Sequence, residues 1–321
     1  MTKDLDRLAM AAPTARRSAG AVMHGGAFHV MGGFGVDGTV DPGDLGCDLW
    51  RFDQGWRLVC DHGPPSARFP SLCAGAEGLY MFGGCGHDGD RVVFRDQIWR
   101  FDGDWSPVAV AEGPRPAARY SAAMAAIPGA LVVFGGYGLD ANGAKLFFGD
   151  LWVFDISRAR WRRLRDDVAG PDRRYGFGWT ATARNLYVFG GFDGLRDRAD
   201  LWALDLDGFA WRRLDSGGTG PAARYCPALG VVDGALVLFG GRSKTRPKLN
   251  FSDTWLFDDG WRRDLGPGPG YHAKAGAASD GAALWLFGGE GPHGHLSDLW
   301  RYDDRGWHCP QRARGDDPIL W

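Results

Sequence analysis

"LVVFGGYGLDANGAKLFFGDLWVFDISRARW", residues 131–161, holds the pattern that decides the fold. A short apolar run ends in Gly-Gly. A variable stretch follows, then a second run, "DLWVFD", and then another Trp. Runs this short, rich in Val, Phe and Trp and bounded by turn residues, read as strands and not as helices. The Gly pair has a physical reason. A strand that ends hard against a neighbouring backbone has no room for a Cβ, and the turn calls for positive φ.

The pattern recurs along the whole chain. The Gly-Gly runs are "FHVMGG" (28–33), "LYMFGG" (79–84), "LVVFGG" (131–136), "LYVFGG" (186–191), "LVLFGG" (236–241) and "LWLFGG" (284–289). The second runs are "DLWRFD" (48–53), "QIWRFD" (97–102), "DLWVFD" (150–155), "DLWALD" (200–205), "DTWLFD" (253–258) and "DLWRYD" (298–303), and the later Trp is Trp56, Trp105, Trp161, Trp211, Trp261 or Trp307. Before each Gly-Gly run lies another run of small or apolar residues, introduced in five of the six copies by Pro-x-x-Arg. Each unit therefore reads as four strands. One four-stranded sheet cannot bury both faces, whereas six packed radially can.

These elements, the Gly-Gly, the "DLWVFD" aromatics and the later Trp, strongly resemble the kelch repeat across nearly the whole chain. The resemblance implies an all-β, six-bladed β-propeller, the architecture of the stand-alone kelch proteins and of the central propeller of galactose oxidase. A single domain is expected over 1–321, with blades near 16–60, 68–109, 119–165, 174–215, 224–265 and 272–310. Residues 1–15 are a candidate ring-closing strand, centred on Leu5–Met10, although blade six has an outer strand of its own near Trp307–Pro310.

Composition agrees with this and excludes other classes. The formal net charge of −2 over 321 residues gives no global pull toward nucleic acid. No apolar run reaches the roughly 18 residues of a membrane span, and none of signal-peptide length opens the chain. The six cysteines form no CxxC pair and read as reduced thiols. The expectation is a cytoplasmic monomer that contacts neither nucleic acid nor membrane.

Function is expected on the loop face. Counted from the preceding Pro, Arg16, Arg68, Arg119, Arg174 and Arg224 occupy one position, and His272 takes it in blade six. Two readings stand. Guanidiniums converging at the channel mouth would bind a carboxylate or phosphate bidentately. Alternatively, each arginine holds backbone or the repeat's own Asp. The neighbouring Phe69, Tyr120, Tyr175 and Tyr225 extend a ligand site under the first reading and are packing under the second. Phe177 and Trp179 put bulk where other blades carry small side chains, either plugging the channel or packing. The loop "RSKTRPKLNFS" (242–252) is a local basic patch.

Blade six departs from the pattern in "PGYHAKAGA" (269–277), where His272 and Lys274 replace Arg and a small residue. Alternation along a strand would place both on one face. The loop "GGEGPHGHLSD" (288–298) adds Glu290, His293 and His295. Glu290 with the two histidines is a candidate divalent-metal set, and His272, Lys274 and Glu290 are candidate acid–base groups. The leading expectation is recognition of an anionic small molecule or acidic protein segment. The alternative is an isomerase, lyase or cyclase, with or without a metal, centred on blade six. The copper site of galactose oxidase and the iron-binding loop of nitrile-specifier proteins have no matching residues here.

Overall fold

The computed structural model describes residues 12–35, 47–65, 68–88, 91–164 and 170–310. Among them are six four-stranded antiparallel sheets, one from each sequence repeat, and no helix. Within each sheet the strands lie side by side in chain order. Blade one, for example, is Gly20–His24, Ala27–Met31, Leu49–Phe52 and Trp56–Cys60. The first strands of successive blades touch in an unbroken circle, blade one also meeting blade six, and enclose a central channel. This is a six-bladed β-propeller.

The repeat residues join the blades. In each Gly-Gly pair both glycines have positive φ. A Cβ on Gly83, Gly190, Gly240 or Gly288 would come within 2.4–2.8 Å of a carbonyl oxygen of the next blade: that of Arg119, Arg224, His272 or Arg16. In three of these pairs the second glycine donates its N–H to that same carbonyl: Gly84 to Arg119 at 2.9 Å, Gly191 to Arg224 at 2.9 Å and Gly241 to His272 at 2.8 Å. A strand thus ends against foreign backbone and bonds to it, which only Gly permits. The second Trp of each repeat reaches the other way. Trp161, Trp211, Trp261 and Trp307 pack on Phe82, Phe134, Phe189 and Phe239 of the preceding blade, with ring centroids 4.8–5.4 Å apart.

The same contacts close the ring. Trp56 of blade one meets Phe287 of blade six at 5.0 Å, and the N–H of Ser18 donates to the carbonyl of Lys274 at 2.7 Å. Blade six supplies its own outer strand, Gly306–His308. The candidate strand at Leu5–Met10 lies outside the described residues.

Candidate ligand site at the loop face

Three arginines of the Pro-x-x-Arg series lie wholly inside the blades. The side chains of Arg119, Arg174 and Arg224 are 0 % exposed. Each makes a two-pronged ion pair with the Asp two residues before the Trp of its own third strand. The NH1 and NH2 groups of Arg174 lie 2.7 and 3.0 Å from the carboxylate of Asp200, NH1 also reaches the Gly190 carbonyl at 3.1 Å, and Nε reaches the Asp172 carbonyl at 2.9 Å. Arg119 repeats this with Asp150, Arg224 with Asp253, and Arg16 with Asp48. The first Trp of the third strand donates Nε1 to the same carboxylate, as Trp202 does to Asp200 at 2.8 Å. Burial alone would raise the Asp150, Asp200 and Asp253 carboxyls, but the guanidiniums outweigh it and hold all three below the usual carboxylate range. The expected anion site at Arg16, Arg119, Arg174 and Arg224 is therefore corrected: their donors are spent on the repeat's own aspartate and backbone.

Arg68 belongs to a different position. It pairs with Cys85, whereas Tyr120, Tyr175 and Tyr225 pair with Tyr137, Phe192 and Arg242, and Arg17 with Phe34. Counted from the Gly-Gly pair, Arg68 is thus equivalent to Arg17 and the tyrosines, one step beyond Arg119. Its guanidinium lies over the Phe34 ring, 4.3 Å from the centroid, and that of Arg17 lies 5.2 Å from the same centroid.

One step further in each blade comes a residue with positive φ: Ser18, Phe69, Ser121, Gly176, Cys226 and Lys274. They form a hydrogen-bonded circle around the channel mouth, five links of it main chain to main chain and one through a side chain. Phe69 N–H donates to Ser18 O, Ser121 to Phe69 O, Gly176 to the Ser121 hydroxyl, Cys226 to Gly176 O, Lys274 to Cys226 O and Ser18 to Lys274 O. All six line a cavity of about 100 Å³ at the mouth. A second cavity of about 290 Å³ continues the channel below, and Trp179 borders both. Phe177 is buried between blades three and four.

The rim divides into two halves. On blades two to five, Phe94, Tyr120, Tyr137, Phe147, Tyr175 and Tyr225 form a continuous aromatic network with neighbouring ring centroids 5.0–6.1 Å apart. Tyr175 and Tyr225 are buried in it and Tyr120 is half-buried. Burial raises the Tyr175 phenol to about 12. These tyrosines, expected as ligand contacts, pack on one another and on Tyr137 and Phe147.

On blades five, six and one the rim is ionic. Glu290 receives Lys274 Nζ at 2.7 Å, Arg17 NH1 at 3.0 Å and Arg242 NH1 at 2.9 Å. Burial raises its carboxyl, but the Lys274 bond and the two arginines bring it down to about 2. Lys244 stands exposed beside this cluster, 5.6 Å from the Tyr225 centroid. The 242–252 loop carries no acid of its own but is anchored to one: Asp197 of blade four accepts from the Ser243 and Thr245 hydroxyls and from the N–H groups of Lys244 and Thr245.

The blade-six expectations are also corrected. The chain turns to positive φ at Lys274, so strand alternation does not hold there. Lys274 goes to Glu290 at the mouth. His272 is buried like the arginines it replaces, with Nε2 3.1 Å from Asp298 and Nδ1 2.9 Å from the Gly270 carbonyl. Both nitrogens are turned to groups of its own blade and Lys274 to Glu290, so His272, Lys274 and Glu290 do not converge as an acid–base set. Nor do Glu290, His293 and His295 gather as metal ligands: His295 packs edge-on against Phe34, and three cations claim the Glu290 carboxylate. The one set of metal-ligand side chains brought together among the described residues is Cys60, His62 and Asp104.

Comparison with known proteins agrees with this architecture. The family model described as the KLHDC2/KLHL20/DRC7 Kelch-repeats domain matches residues 71–263, more than half of the chain. Human Kelch domain-containing protein 10 is 30% identical over 164 residues, covering 46% of this chain and 35% of that protein. The flagellar outer-arm dynein alpha chain of Chlamydomonas reinhardtii is 32% identical over 124 residues, covering 37% of this chain and 3% of the dynein chain. Human Multiple epidermal growth factor-like domains protein 8 is 29% identical over 200 residues, covering 56% of this chain and 7% of that protein. The matches span about a third or less of these relatives' own lengths. Six Gly-Gly repeats, the buried Arg–Asp pairs and the family match lead to one assignment: the chain belongs to the kelch-repeat family.

Proposed function

We propose that this kelch propeller is a binding module that recognises an anionic group, carried by a small molecule or an acidic protein segment, at the ionic half of its mouth. One observation carries the reading. Around Glu290, three cations from three blades converge on a single carboxylate, and one of them, Lys274, also lines the mouth cavity. Arg68 and Lys244 extend the positive rim on either side. An anion entering here meets donors already held in place, which lowers the ordering cost of binding. The aromatic half offers apolar contact for whatever carries the charge.

A fluorescently labelled polyglutamate peptide tests the proposal by anisotropy. Binding is expected to weaken as salt rises and to weaken again in Arg17→Ala and Arg242→Ala. Binding that ignores salt and both substitutions would remove the ionic rim from consideration.

A further inference from the structure

We propose that Cys60, His62 and Asp104 form a binding site for a zinc-class divalent ion on the outer edge of the propeller, at the seam between blades one and two. Cys60 ends the outer strand of blade one, Trp56–Cys60. His62 follows two residues later. Asp104 sits in the turn before Trp105–Pro107, the outer strand of blade two. Ligand atoms of the three side chains all lie within 4.8 Å of one another. Cys60 Sγ is 3.8 Å from His62 Nε2, and His62 Nε2 is 3.0 Å from Asp104 Oδ1. A tetrahedral zinc ion bonded at about 2.3 Å to sulfur and about 2.0–2.1 Å to nitrogen and oxygen needs S···N and N···O separations of about 3.5 Å and 3.4 Å. The set meets both with adjustments of a few tenths of an ångström, well within the freedom of two exposed side chains.

Asp61 adds the orienting partner such sites use. Its Oδ1 lies 3.0 Å from His62 Nδ1. A carboxylate on the second ring nitrogen fixes the tautomer that leaves Nε2 free to ligate, the arrangement common around metal-bound histidine. Thiolate with imidazole and one carboxylate suits zinc over magnesium or calcium. Three protein ligands leave the fourth position to water. The proton balance is simple. The Cys60 thiol donates to the His62 carbonyl at 3.1 Å; on metal binding that proton passes to solvent and the thiolate sulfur bonds the ion. The ion then ties the two blades together at their outer strands, far from the mouth.

Cobalt(II), titrated into the full chain under reducing conditions, is the probe. The expected result is a tetrahedral ligand-field spectrum with a thiolate-to-cobalt charge-transfer band, lost when zinc is added in competition. Cys60→Ser is expected to abolish the charge-transfer band, and His62→Ala and Asp104→Asn to weaken cobalt binding at least about tenfold. Asp61→Asn should retain the band while lowering affinity about 10–100-fold, the effect of removing an orienting carboxylate. His62 and Asp104 are solvent-exposed, so an unchanged circular-dichroism spectrum and melting curve without metal will certify the fold of their variants. An octahedral cobalt spectrum without the charge-transfer band, or a band that persists in Cys60→Ser, would overturn the proposal.

Discussion

Arg174→Ala separates the two roles open to the Pro-x-x-Arg residue. The substitution removes four hydrogen bonds, two of them to Asp200. It leaves a carboxylate, itself 9% exposed, with Trp202 Nε1 as the chief remaining donor. Breaking a buried pair from one side costs about 3–5 kcal/mol, because the surviving charge stays desolvated. At roughly 2 °C per kcal/mol for a chain this long, the melting point should fall by about 6–10 °C. Urea unfolding at an unchanged m-value would measure the loss directly. Arg174→Met combined with Asp200→Leu should recover a large part of it, since an apolar pair of similar volume leaves no stranded charge. Polyglutamate binding by the folded Arg174→Ala protein should match that of the parent. A stability loss under about 1 kcal/mol together with lost binding would refute this account and return the arginine series to the ligand.

Other outcomes follow from the same geometry. Glu290→Gln removes the carboxylate that the mouth cations now hold, and polyglutamate should bind about tenfold more tightly; weaker binding would mean that Glu290 itself contacts the ligand. Burial lowers His29 from 6.5 to about 4. Because the unfolded chain takes up this proton first, stability should fall by about 2–3 kcal/mol as pH drops from 6.5 to 4, and His29→Leu should flatten that stretch of the urea-midpoint profile. The paired aspartates act lower: their depressed carboxyls stabilise the fold above the unfolded value near 3.8 and lose that effect as pH falls through their folded values, so acid unfolding should steepen below about pH 4. Trp56→Ala opens the seam between blades one and six and should cost about 3–5 kcal/mol, as for other large aromatic truncations; a loss under about 1 kcal/mol would show that another contact closes the ring.

The architecture was legible because the residues that join the blades are the ones that repeat. Gly-Gly, the Trp of the third strand and the later Trp meet equivalent neighbours in blade after blade, so the same physical demand recurs at the same place in the sequence. The site was less legible, and Arg68 shows why. Counting from Pro groups it with Arg119. In five copies, however, the first Gly of the pair comes sixteen positions after the Arg or His, as from Arg119 to Gly135 and from His272 to Gly288, whereas Gly83 comes only fifteen positions after Arg68. The count back from Gly-Gly was available and gives the register found in the structure. The Pro lies in a loop, where a residue more or less is tolerated, and the Gly pair is pinned by the next blade's carbonyl. The joint, not the loop, sets the frame.

The same distinction locates function within the repeat. At the arginine position the carbonyl is taken by the preceding blade's Gly-Gly and the side chain by the blade's own Asp, so nothing is left for a ligand. The next two positions carry no such duty. Their main chains pair with the residue after Gly-Gly and make all but one link of the circle at the mouth, the Ser121 hydroxyl making the other, which leaves most of these side chains to vary. There the repeats diverge: Arg17, Arg68, Tyr120, Tyr175, Tyr225 and Ala273 at one position, and Ser18, Phe69, Ser121, Gly176, Cys226 and Lys274 at the other. His272 keeps the invariant role with a shorter side chain, and its Asp298 carboxylate is accordingly more open to solvent, 36% exposed against 9–19% for its counterparts. Lys274, two residues on, is the real departure of blade six. It is the cation among the six mouth residues, and it meets Arg17 and Arg242 at Glu290 because variation is concentrated where the fold asks only for backbone.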